Sequence, residues 1–458
     1  MIEILRLILP LLLLLYFLVK GIKSPLFFLG IPFLIFMRES IFFSYLKIFS
    51  IPGKLLVILG FIWLVIFWIL FLIIRIYKKP NKIYNTLQLN GLDYCVIGLV
   101  IITLIGLGTT ISESSQLTGV FKEFINLISL FAGFFIIKNW ASFFEPEELE
   151  KFLLSLVILN SVAAFLYILH QGLHFKIYLE KEYLTAIFNG QIITRTFWFM
   201  PQLPFLAVAF CLINWKKNPF VFTVLLFVNS IATVITYFRS FSIILVSLFL
   251  LYSLLIGLKS GKYGMIVKNI LLYSLSGILF ILILTKVFPA NTNYIIDRFS
   301  QITNPQLARG PNNLDIRFTM SKNVISGIDD NKKIIGMGSV TEYQTPMVSL
   351  MKESLADVVW TGVIFRWGFV GLLFFIFLNI FSVFKAFTLF MKSEGVVSNL
   401  ALLLLLYIFS QIIESFIDWT FMSEHGFATG LWYFALLSLL LGYKNSGTSP
   451  DGNKYLLN

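Results

Sequence analysis

Charge is what this chain has least of. Only 13% of its 458 residues are Asp, Glu, Lys or Arg, against about 25% in soluble domains, so an ordinary soluble fold is excluded. Cysteine is nearly absent: Cys95 and Cys211 both fall in apolar runs, lack metal spacing and make no disulfide framework. His170 and His174 have no partner spacing, and no phosphate-cradling glycine loop or serine-hydrolase elbow occurs. Acidic groups are the scarcer sign, 23 against 35 basic ones, for a net charge of +12. The excess is mostly lysine at the ends of apolar runs, which the positive-inside rule explains without a nucleic-acid partner.

What is present is apolar surface: 58% hydrophobic residues, 17% aromatic, and a mean hydropathy of +0.89. The class is an all-α polytopic membrane protein. The stretch from Ile8 to Val19 has the apolarity of a signal-peptide core, but Lys20-Gly21-Ile22-Lys23 follows with no small-residue cleavage pattern. It reads as a retained first helix. Apolar runs place spans at approximately 3–20, 25–46, 54–76, 91–111, 119–138, 150–170, 196–214, 219–237, 240–258, 266–288, 358–384, 397–418 and 427–443, about 12–13 in all. Pro32, Arg38 and Glu39 interrupt the second and leave the side of the N-terminus open. The division is therefore helices 1–10 in 1–288, a large external loop in 289–357, helices 11–13 in 358–443 and a cytoplasmic tail in 444–458.

From the fourth span onward the connections alternate. Those at 77–90, 215–218, 259–268 and 385–396, with the tail, carry lysines and are assigned to the cytoplasm; 139–149, rich in Glu145, Glu147 and Glu148, fits that side weakly. Connections at 112–118, 171–195, 289–357 and 419–426 then face outward. So does the turn holding Arg239, the single charge in the apolar stretch from Pro219 to Leu258. That stretch suits two membrane helices of roughly 20 residues each. A cation costs about 2.5–3.5 kcal/mol at the bilayer centre and little near the interface, so the turn belongs at a membrane surface. An outward arginine runs against the usual charge bias.

Arg195, before a span, and Arg317, in the long loop, share that side. Guanidinium forks match phosphate oxygens two at a time and stay charged. Three of them at the lipid–water boundary point to a diphosphate head group whose tail lies in the bilayer. The alternative is that each caps a helix, pairs with a local carboxylate such as Asp315, or binds ordinary lipid phosphate. Asp357 stands at the mouth of a span that continues through Trp360 to Arg366, the arginine about 13 Å deeper at about 1.5 Å per residue. Arg366 at that depth needs a partner, Glu414 or Asp418, as a buried pair joining two helices. Asp357 is either a helix N-cap or an external carboxylate able to take a proton from a sugar hydroxyl. The last outward loop, Asp418 to Gly426, mixes aromatic and acidic groups, and His425 in it is either structural or an acid–base group of the type suited to neutral pH.

In order and topology these residues resemble the O-antigen polymerase and ligase superfamily of bacterial envelopes. Four parts carry the resemblance, over roughly residues 90–440: Arg195 before a helix with Pro201 and Pro204; Tyr237-Phe238-Arg239-Ser240 opening a span; Arg317 in a large external loop followed by Gly336-Met337-Gly338; and Asp357 leading into Arg366-Trp367-Gly368-Phe369-Val370-Gly371. Each motif is short. Ligase relatives commonly have histidine near the position of Asp357, and that departure favours a polymerase over a ligase.

The resemblance implies a C-type glycosyltransferase-like fold in the bacterial cytoplasmic (inner) membrane, with an outward-facing active site and no metal or other cofactor. It implies undecaprenyl diphosphate-linked oligosaccharides as donor and acceptor, with a chain-length regulator and a flippase as possible partners. Arg195, Arg239 and Arg317 would bind the donor diphosphate, Trp360 and Arg366 would complete the substrate site, and Asp357 would be the base, with Arg317 and His425 the other catalytic candidates. Direct displacement would invert the anomeric centre. A ligase passing finished polymer to another acceptor, and a transporter or flippase of lipid-linked sugars, are the competing readings.

Overall fold

The computed structural model describes residues 2–31, 91–113, 146–172, 185–188, 191–194, 203–236, 239–287, 313–338 and 359–415, with a few single positions between, 131 and 138 among them. The helices are α1 (Ile2–Lys23), α2 (Gly91–Glu113), α3 (Pro146–Gly172), α4 (Leu203–Asn214), α5 (Pro219–Ile235), α6 (Arg239–Ser260), α7 (Tyr263–Val287), α8 (Asn313–Gly327), α9 (Asp330–Ile335), α10 (Val359–Lys392) and α11 (Gly395–Ser415). Six stretches within them are long and apolar enough to cross a membrane: Gly91–Gly108, Pro146–His170, Ser240–Ser260, Tyr263–Lys286, Trp360–Lys392 and Gly395–Ser415. A helix keeps its backbone hydrogen bonds to itself, which hydrocarbon demands. The protein is therefore a multi-pass helical membrane protein.

Several boundaries differ from those read off hydropathy. The acidic pair Glu147–Glu148, expected in a connection, forms the first turn of α3, where carboxylates face the positive end of the helix dipole. Helix α10 runs to Lys392 rather than 384, which leaves Ser393-Glu394 as the turn into α11. The 171–195 connection contains a hairpin, β1 (Thr185–Phe188) antiparallel to β2 (Gln191–Thr194), with Thr185 opposite Thr194. Periodicity over four-residue strands is too short to announce them.

At the centre lie α4 and α11. Nearly every residue of α4 is buried, as is the whole run Leu400–Ile408 of α11; helices apolar all round belong inside. Around them α10 packs on α11 and α2, α3 on α4 and α5, α6 on α11 and α7, and α9 on α10.

Cross-links between helices fix which ends share a side. Lys138 binds Asp93 at the start of α2, and Lys217 binds Glu150 at the start of α3. Lys259, near the end of α6, donates to the carbonyls of Phe390 (2.7 Å) and Ser393 (2.7 Å) and to Ser398 Oγ (2.5 Å). It thereby satisfies carbonyls left over at the end of α10. Helices α3 and α5 run parallel: Asn160 Nδ2 donates to Asn229 Oδ1 (2.5 Å), Asn229 Nδ2 to Ser161 Oγ (2.7 Å), and the Tyr167 hydroxyl to the Ile235 carbonyl (3.4 Å). The lysine-bearing connections paired in this way match the alternation inferred from charge.

Candidate functional site

The chain after Ile364 reads Phe365-Arg366-Trp367-Gly368-Phe369. Inside α10, Gly368 has φ 63° and ψ −167°, so the helix is broken there. A break within a membrane helix frees carbonyls that must find other donors. Here the donors come from the long loop: Met337 N donates to the Phe365 carbonyl (2.7 Å) and Gly338 N to the Arg366 carbonyl (3.0 Å). The segment Gly336-Met337-Gly338 thus lies along the broken edge of α10.

Glycine is required because the backbones touch. Gly336 has φ 82°, and a Cβ there would lie 2.3 Å from the Arg366 carbonyl oxygen; a Cβ on Gly368 would lie 2.2 Å from that of Ile334. Two short helices hold the segment in place. Gly336 N donates to the Lys332 carbonyl (2.6 Å), ending α9, and α8 also packs on α10. Val324, Ile328, Ile364 and Phe365 form a small apolar cluster under them, with Met337 against it. On the exposed side of α9, Lys333 donates to Asp330 Oδ1 (2.6 Å) and holds that carboxyl below the usual carboxylate range.

The third wall is α2, antiparallel to α10. Gly98 accommodates the Phe374 ring, 2.6 Å from a built Cβ, and Gly106 accommodates Gly338, whose Cα would be 2.7 Å from such a Cβ. Gly106 lies 15 residues beyond Gly91, about 22 Å along the axis. The junction is therefore displaced toward the side opposite the lysines. Trp367 is buried, its ring centroid 5.9 Å from that of Phe131, while Trp360 packs edge-on at 5.5 Å to Phe375.

Arg366 is half-buried at the break and Trp360 half-buried one helical stretch before it. Arg239 is the first residue of α6, 20 residues from Lys259 and so about 30 Å from the lysine-bearing side. Phe241, two residues on, packs edge-on against Phe205 of α4 at 5.0 Å. Arg317 lies in α8, one of the helices docked on α10. Arg195, Asp357 and His425 lie outside the described residues, as does Asp418. Glu414 is buried, and Gln411 Nε2 donates to its Oε2 at 3.4 Å.

Sequence reasoning missed Gly98 and Gly106. Their signal was the spacing Gly91, Gly98, Gly106, which puts all three on one helical face. Among the described residues no three His, Cys, Asp or Glu side chains form a metal-binding group.

Fold and site together define a multi-pass membrane protein with a discontinuous helix to which an inter-helix loop is bound. In comparison with known proteins, no family model and no curated sequence matches the chain.

Proposed function

We propose that the protein is a membrane glycosyltransferase that polymerises polyprenyl diphosphate-linked oligosaccharide repeats into an envelope polysaccharide such as O-antigen or capsule. The observation that supports this most is the meeting of two motifs far apart in sequence. Gly336-Met337-Gly338 and Arg366-Trp367-Gly368 are bound together through backbone hydrogen bonds at the break in α10. Two of the four short segments that carried the family resemblance thus form one structure, and Arg239 opens a helix at the end remote from the lysines.

On this reading the guanidinium groups of Arg195, Arg239, Arg317 and Arg366 bind the donor diphosphate. Charge grows on that diphosphate as the glycosidic bond breaks, so preorganised cations stabilise the transition state more than the ground state. Asp357 takes the proton from the acceptor hydroxyl as its oxygen attacks the anomeric carbon and the lipid diphosphate leaves. The loop from 289 to 357 covers the reacting sugars and limits hydrolysis by water.

The break in α10 also supports a second reading, transport of a lipid-linked sugar, because discontinuous helices line many transporter sites. One experiment separates them. Purified protein is incubated with a synthetic lipid diphosphate-linked repeat and the products are resolved on a gel. A ladder is the expected result. A single transfer onto a different lipid identifies a ligase, and vesicle uptake without product identifies a transporter. Arg239→Lys is expected to lose most of the ladder at unchanged membrane abundance, since a point charge does not reproduce the fork.

A further inference from the structure

The loop segment 336–338 is held from two sides, and only one of them is α10. We infer that Gly106 of α2 is a positioning residue for Arg366: by presenting no side chain, it lets Gly338 lie flat against α10 and fix the backbone that carries the arginine. This inference rests on the polymerase reading only for what Arg366 does, not for the geometry itself.

The geometry is a three-layer sandwich of main chain. A Cβ on Gly106 would stand 2.7 Å from Gly338 Cα, 3.5 Å from its N and 3.9 Å from its carbonyl carbon. Gly338 N in turn donates to the Arg366 carbonyl at 3.0 Å. A methyl group on Gly106 therefore acts on the atoms that bind residue 366 and has no flexible side chain to push aside. The backbone must move, and that movement is transmitted through one hydrogen bond to the arginine. A misplacement of this size at a reacting centre costs on the order of a hundredfold in rate.

The same helix supplies its own controls. Gly108, two residues on, has nothing within 4 Å of a built Cβ. Gly108→Ala therefore reports what a more helix-favouring residue does to α2 and nothing else. At Gly98 the neighbour is the Phe374 ring, so Gly98→Ala disturbs the α2–α10 contact through a side chain, away from the junction.

The test uses the full-length protein in liposomes with the lipid diphosphate-linked repeat. Gly106→Ala is expected to lower the rate of polymer formation at least tenfold, with Gly108→Ala within twofold of the parent. A double-mutant cycle carries the decision. If Gly106 acts through Arg366, then Gly106→Ala adds no further loss to the Arg366→Lys protein. A purely structural role would multiply the two losses, and that outcome overturns the inference. Met337→Pro, which removes the donor to the Phe365 carbonyl, is expected to behave like Gly106→Ala and serves if that variant fails to accumulate.

Amide hydrogen exchange at Met337 and Gly338 is read in parallel and needs no activity. These amides are expected to exchange at least tenfold faster in Gly106→Ala than in the parent or in Gly108→Ala. Unchanged exchange overturns the junction itself. Accelerated exchange in a protein whose parent makes no polymer refutes the polymerase reading and leaves the junction standing.

Discussion

Between α3 and α5 the contact is made by side-chain amides and hydroxyls; between α2 and α10 it is made by glycines. In the first pair Asn160, Ser161 and Asn229 hydrogen-bond across the interface, and Thr233 Oγ1 donates to the Asn229 carbonyl at 2.7 Å within the helix. Neither helix has an internal non-helical residue. In the second pair Gly98 and Gly106 admit a ring and a foreign backbone, and the partner helix is broken at Gly368. Polar side chains can pin the register of two intact helices in an apolar medium. Small residues let main chains approach, and here the main chain brought in belongs to the long loop. The difference separates a scaffold from a region able to assemble a site.

That contrast can be broken most severely at Gly368. Gly368→Ala combines a left-handed φ with a Cβ 2.2 Å from the Ile334 carbonyl oxygen, and is expected to cost on the order of 3 kcal/mol. Thermal unfolding in detergent measures it, and a loss below about 1 kcal/mol would mean that the break is not locked. Asn229→Leu is expected to cost about 1–2 kcal/mol by leaving the Asn160 amide without its acceptor, while the Ser161 hydroxyl keeps its bond to the Val157 carbonyl. Replacing Asn160 and Asn229 together by leucine should cost less than Asn229→Leu alone. A double variant worse than the single one would show that the polar seam is not coupled. Smallest, Lys259→Met should cost about 1 kcal/mol by leaving the Ser393 carbonyl without its donor, while the Phe390 carbonyl keeps the Ser398 hydroxyl at 3.2 Å. If Lys259→Arg fails to recover most of it, charge at that helix end is not the cause.

Where the spans fall among the described residues, helix positions were legible because hydrocarbon imposes one requirement, a long apolar run, on each of them; those read at 25–46, 54–76, 119–138 and 427–443 lie mostly outside the described residues. The apolar stretch around Arg239 did divide into two helices, with Arg239 opening the second, because an isolated charge has no tolerable place in mid-bilayer. Sidedness was legible in part: lysines counted along the chain anticipated that Lys259 would share a side with the turn at Ser393. Helix ends were less so. The α3 start and the α10 end moved by up to eight residues, since glutamates in a first turn and a lysine near a last turn belong to the helix as readily as to a loop. The break in α10 was not legible, because Gly368 is one glycine among 29. Nothing in Arg366-Trp367-Gly368 alone says that its carbonyls will be met by residues 337 and 338.

By itself the sequence determined a membrane-embedded helical protein and the alternation of its connections, because hydrophobicity and charge act on each segment independently of the others. Only the tertiary structure decided that α10 is discontinuous and that a loop segment and α2 close around the discontinuity. A carbonyl freed by a break must be satisfied by whatever donor lies nearby in space, and distance along the chain does not specify that donor.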